Sequence, residues 1–158
     1  MKQLIENVKQ TIAGKKILWA YPIANKLQKY HYILAIQWAI ECILIYSSET
    51  KSYKLSQLNK YIQQAMEEQN FLTPSQCLEI SGEIWYLPER EEIQTAIARF
   101  WASIAAFKEG EEHGGIMETT AAVELVLPDI SDRRLLNRYL ETAVRIFEEY
   151  ESQNQEYD

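Results

Sequence analysis

Few residues in this chain have the types and spacing that chemistry needs. Its histidines are His31 and His113, and its cysteines are Cys42 and Cys77. His113 follows Glu109, Glu111 and Glu112 in a stretch broken by Gly110 and by the pair Gly114-Gly115. Carboxylate and imidazole groups so close in sequence could hold a divalent metal or activate water, so a metal-binding or hydrolytic site around 109–113 is one reading. A helical di-metal centre, however, needs Glu-x-x-His on two helices. Position 110 is glycine and no glutamate lies three residues before His31. The zinc-protease pattern is absent too. The plainer reading of 109–113 is a solvated acidic loop, and no metal ligand is assigned.

Nucleophilic chemistry has equally little support. Cys42 lies between Glu41 and Ile43 in the most apolar stretch of the chain, where a thiolate is disfavoured. Cys77 falls just after Thr73-Pro74, where a helix N-terminus would lower a thiol pKa, but nothing close in sequence supplies a base. Gly114-Gly115 lacks the frame of a phosphate-binding loop. The acid pairs Glu67-Glu68, Glu91-Glu92 and Glu148-Glu149 sit on polar faces and read as solubilising charge. No catalytic residue and no cofactor site is expected, and the chain reads as a non-enzyme.

Charge is the one unusual feature. Residues 1–64 carry nine lysines against Glu6, Glu41 and Glu49, a net +6, while residues 65–158 carry 7 basic against 20 acidic residues, a net −13. If the halves presented separate faces, copies of the chain could meet weakly and in a salt-sensitive way. Packing that folds the halves together would mix the poles instead. Within the basic half, Lys15, Lys16, Lys26 and Lys29 interleave with Trp19, Tyr21, Tyr30 and Tyr32. Such mixtures suit phosphate backbones and stacked bases. A pI near 5.0 and the absence of arginine from this segment disfavour nucleic acid as the partner.

Two further patterns concern contacts. Ile84-Trp85-Tyr86-Leu87 cannot all face one core, because one helical turn spreads four residues around the axis. Coverage on both sides is expected there; exposure of Trp85 or Tyr86 would mark an interface anchor. Gln37 and Glu41 make one narrow polar line, and Thr95, Arg99 and Ser103 another, so Glu41 and Arg99 are expected to pair across a helix contact.

The elements that must position these residues are helices. Leu4, Ile5, Val8 and Ile12 repeat at helical spacing before Gly14, and Pro22 opens or kinks a second helix. Residues 31–48 are apolar almost all round, the mark of a central helix. Leu55, Leu58, Tyr61, Ile62, Ala65 and Met66 form the next stripe, and Thr73-Pro74-Ser75-Gln76 is a strong helix start. Pro88 is expected to open a helix that carries Ala96, Ile97, Phe100, Trp101, Ile104 and Phe107 and ends at Gly110. Residues 109–115 read as a flexible loop. Residues 117–127 read as a short helix, with a strand tolerated at 123–127. The last helix is capped by Ser131 or Asp132 and buries Leu136, Tyr139, Leu140, Ala143, Phe147 and Tyr150.

The predicted fold is therefore all-α: one domain over 1–151, an irregular bundle or stack of helical hairpins of about seven to eight helices, without a β-sheet. A frayed acidic tail follows at 152–158. The chain's 158 residues and 47% apolar content suffice for a single core without disulfides. The most apolar run, 33–46, is too short and too polar to span a bilayer. A cytoplasmic protein that binds another protein, as an adaptor, accessory or immunity-type module, is the favoured reading. Its candidate contact residues are Trp85, Tyr86, Lys15, Lys16, Lys26 and Lys29. A nucleic-acid accessory factor built on 15–32 is the alternative.

Overall fold

Thr73 and Gln76 close a reciprocal capping box. The Gln76 N–H donates to Thr73 Oγ1 at 3.2 Å, and the Thr73 N–H donates to Gln76 Oε1 at 2.8 Å, with Pro74 as the first helical residue. Equally local devices punctuate the rest of the chain. Asp132 Oδ1 accepts the Leu135 N–H at the start of the last helix. Gly110 takes a left-handed φ of 79°, while the N–H groups of Gly110 and Glu111 reach back to Phe107 and Ala106. Glycine relieves the Cβ clash at that terminating position.

The computed structural model describes residues 1–13, 18–50, 55–88 and 91–155. Its helices are α1 (Lys2–Ala13), α2 (Tyr21–Tyr30), α3 (Tyr32–Thr50), α4 (Leu55–Glu68), α5 (Pro74–Trp85), α6 (Glu92–Lys108), α7 (Glu112–Leu125) and α8 (Arg133–Gln155). A 3₁₀ turn, Gln69–Phe71, joins α4 to α5, and the described residues contain no strand. The fold is an all-α bundle.

α5, α6 and α7 run as consecutive antiparallel hairpins, and α3 lies across α6 and α7 with α8 antiparallel along its other side. α3 and α6 form the centre. Trp38, Trp101, Phe100 and Tyr139 are fully buried there among alanines that let the backbones approach. Trp38 Nε1 donates to the Tyr139 carbonyl at 2.8 Å, and the Tyr139 hydroxyl donates to the Val126 carbonyl at 2.5 Å. These bonds satisfy buried polar atoms whose desolvation would otherwise cost about 1–3 kcal/mol each.

Several sequence expectations need correction. α6 starts at Glu92 rather than at Pro88. The cause is Gln94: its buried side-chain amide donates to the carbonyls of Ile84 and Leu87 at 2.8 and 2.9 Å, which holds the chain in a turn before the helix begins. The loop expected over 109–115 is shorter, because α7 already begins at Glu112 and absorbs His113, Gly114 and Gly115. The glycines belong to a helix contact: a Cβ on Gly115 would lie 2.5 Å from the Phe107 ring. α7 remains helical to Leu125, which removes the strand alternative at 123–127. α8 continues beyond Ser152 to Gln155, so the expected frayed tail begins as helix; residues 156–158 lie outside the described residues.

Candidate functional site

α5 has two contrasting faces. Cys77, Ile80 and Ile84 are buried toward α6, and the Ser81 hydroxyl donates to the Ala98 carbonyl at 2.7 Å on the same side. The opposite face carries Leu78, Gly82 and Tyr86 at i, i+4 and i+8, so they lie one above another along the helix. Leu78 is 50% exposed and Tyr86, the C-cap residue, 83% exposed. The exposed carboxylates of Glu79 and Glu83 flank that line, and a Cβ at Gly82 would meet nothing within 4 Å.

The preceding segment is exposed in the same manner. Met66, grouped with the buried stripe of α4 on its spacing, is 64% exposed, and Phe71 in the 3₁₀ turn is 84% exposed. Met66 borders a groove of about 470 Å³ between α3 and α4, whose apolar lining includes Ile33, Ile36, Ile40, Leu44 and Phe100. Sequence periodicity missed Met66, Phe71 and Leu78 as surface residues. Spacing identifies a helix face; it does not say whether a neighbour arrives to cover it.

The expected coverage of both sides at 84–87 does not hold, since Tyr86 projects into solvent. Trp85 is half-buried, with the Arg99 guanidinium over its ring at 5.3 Å. Arg99 Nη1 in turn reaches both Glu118 oxygens, at 3.2 and 3.3 Å. Arg99 therefore does not pair with Glu41. Glu41 is held by Arg145 of α8 and by the Gln37 amide one turn away, because α8 and not α6 faces that side of α3. Of the two aromatic candidates, Tyr86 is the open one.

The basic candidates divide. Lys15 and Lys16 lie outside the described residues. Lys26 places its ammonium 5.4 Å from the centre of the Tyr30 ring, and Lys29 is exposed. The aromatics of this segment are engaged by the protein itself: Trp19 is buried edge-on to Trp38, Tyr32 stacks on Phe107, and Tyr30 packs edge-on to Phe147 and Tyr150. Tyr21 lies edge-on to His113 with ring centres 6.4 Å apart, which places His113 beside an aromatic ring on another helix.

Among the described residues no three His, Cys, Asp or Glu side chains converge as a metal site would require. Burial pushes the Cys42 thiol well above its ordinary range, and Glu41 beside it adds to the shift. Burial likewise raises Cys77, against an opposing pull from Lys108; the helix N-terminus leaves no activated thiol there. The Lys108 ammonium is itself occupied by the carbonyls of Gln69 and Leu72, and so ties the 3₁₀ turn to the end of α6.

Charge mixes across the chain halves. Lys2 and Lys9 of α1 line one groove with Glu141 and Glu148 of α8. Glu49 of α3 accepts from Arg134 at 2.7 Å and from Arg138 at 2.5 Å. Hydrogen bonding to Arg134, reinforced by Arg138, holds the Glu49 carboxyl at about 2. These contacts join acids of the basic half to arginines of the acidic half, so separated poles are not what α1, α3 and α8 present. None of the described helices is long and apolar enough to cross a membrane. Comparison with family models, curated proteins and solved structures finds no match to this chain.

Proposed function

We propose that this chain is a non-enzymatic, cytoplasmic helical module that binds another protein, with the outer face of α5 as its main contact. The observation that supports this reading is the exposure of Met66, Phe71, Leu78 and Tyr86 within one short stretch of chain. Single exposed apolar residues are ordinary on a protein surface. Large apolar side chains at the centre of an interface are the usual carriers of binding energy, tyrosine prominent among them. Both cysteines are buried free thiols, which suits a reducing compartment.

The test is an affinity capture from the source cell with the wild-type chain and with a Leu78→Asp/Tyr86→Asp variant, after circular dichroism has shown both to be folded. A partner protein held by the wild type and lost by the variant is the expected result. Capture that is identical for both chains would remove the α5 face from the function.

A further inference from the structure

The chemistry of the α5 face narrows what can dock there. Residues 61–88 contain Glu67, Glu68, Glu79 and Glu83 and no lysine or arginine. Among the described residues, three cations near this stretch are engaged within the protein, Lys60 lying with its ammonium 4.8 Å from the centre of the Tyr61 ring. Lys108 is bound to two backbone carbonyls, and Arg99 is paired with Glu118 and laid over Trp85. Among the described residues neither Glu79 nor Glu83 has an ion-pair partner. Among the described residues, the outer face of α5 thus carries an apolar ridge with the Glu79 and Glu83 carboxylates along its flank.

Resting on the protein-binding reading above, we propose that this face is a docking seam for a cationic amphipathic helix of a partner protein, which crosses α5 over Gly82. Three features define the fit. Leu78 and Tyr86 stand two turns apart and supply apolar anchors for the i/i+3/i+4 stripe of a helix laid against them. Between them Gly82 offers bare backbone with open space above it, which lets a second helix axis come closer than a larger residue would permit. Glu79 and Glu83, one turn apart on the same flank, meet lysine or arginine at matching spacing on the incoming helix. An acidic helix would set like charges against this flank, so the carboxylates also discriminate between partners.

The test uses synthetic helices of about fourteen residues, roughly four turns, with a leucine stripe and either lysine or glutamate on the flanks. They are titrated into the full chain by fluorescence anisotropy. The lysine peptide is expected to bind at least about tenfold tighter than the glutamate peptide, and its binding weakens as salt is raised. Glu79→Lys/Glu83→Lys reverses that preference. Gly82→Leu weakens the lysine peptide about tenfold by filling the crossing point, while its circular dichroism stays that of the wild type. Equal binding of both peptides, lost in Leu78→Ser/Tyr86→Ser, would overturn the cationic assignment and leave protein binding standing. Absence of binding by either peptide, or indifference to Gly82→Leu, would overturn the seam itself. Failure of the wild-type chain to capture any partner protein from cells is the separate result that removes the protein-binding reading.

Discussion

The α6–α7 contact and the outer face of α5 are built from similar residues with opposite outcomes. Both place a glycine inside a helix. Gly115 lies under the Phe107 ring, with no space for a Cβ, whereas Gly82 faces open space. In the first region two buried hydroxyls are tied down: Ser103 donates to the Phe100 carbonyl and Thr119 to the Gly115 carbonyl, at 2.6 and 2.8 Å. On the second, leucine and tyrosine side chains stand in water beside carboxylates without ion-pair partners among the described residues. Folding explains the composition of the first region. It does not explain that of the second, and a surface that folding leaves unexplained is where binding is to be sought.

The largest effect expected from this contrast lies in the glycines. Alanine for glycine in a helix interior ordinarily gains about 0.8–1.0 kcal/mol. Gly82→Ala should show that gain in denaturant unfolding. Gly115→Ala should instead lose about 1–3 kcal/mol, the usual cost of overpacking, since the Phe107 ring must move. Two stabilising alanines would mean that the α6–α7 contact is looser than the Phe107–Gly115 approach implies.

A smaller effect separates two carboxylates by their response to acid. Glu49 moves from an ordinary 4.5 to about 2 on folding, chiefly by its bond to Arg134. A depressed folded value means that its contribution is present above pH 4.5 and is lost as pH falls from there through about 2. Exposure to solvent keeps that contribution modest. Glu124 is raised instead, because burial outweighs the N–H that Ala20 donates to it at 3.4 Å. Its contribution is present below the ordinary carboxylate range and is lost as pH rises through the folded value. Thermal melts across acid pH should therefore show a shallower acid loss in Glu49→Gln, and a gain at neutral pH in Glu124→Gln. An acid limb unchanged in Glu49→Gln would show that the arginine clamp does not hold in solution.

What the sequence made legible follows the same division between local and distant causes. The all-α class, the capping box at Thr73 and the stop at Gly110 depend on neighbours a few residues away, and each can be read from spacing and residue type. The start of α6 could not be read so, because Gln94 withholds it by bonding back to Ile84 and Leu87. Nor could the partner of Glu41, since the choice between Arg99 and Arg145 depends on which helix α3 faces. The candidate site was half legible. The impossibility of burying four apolar residues at 84–87 on one side pointed to the right turn of α5. It left open that Arg99 covers Trp85 and that Tyr86 remains uncovered.

The smallest expected effect is the one that bears most directly on function. If Leu78 and Tyr86 contributed to the fold, truncating them would cost what a buried side chain costs, about 2–5 kcal/mol for leucine to alanine. Their exposure argues for the range of ordinary surface substitutions, within about 0.5 kcal/mol. Leu78→Ser and Tyr86→Ser, measured singly by urea unfolding, should therefore leave both the midpoint and the slope of the transition near those of the wild type. The inner face supplies the internal control, because Ile80→Ala and Ile84→Ala on the same helix remove buried side chains and should lower the midpoint clearly. A loss at Leu78 as large as at Ile84 would mean that the outer face is covered within the molecule, leaving no seam for a partner. A loss confined to Ile80 and Ile84 would separate the two faces of α5 by energy as well as by exposure, with the apolar side chains of the outer face then contributing to something other than the fold.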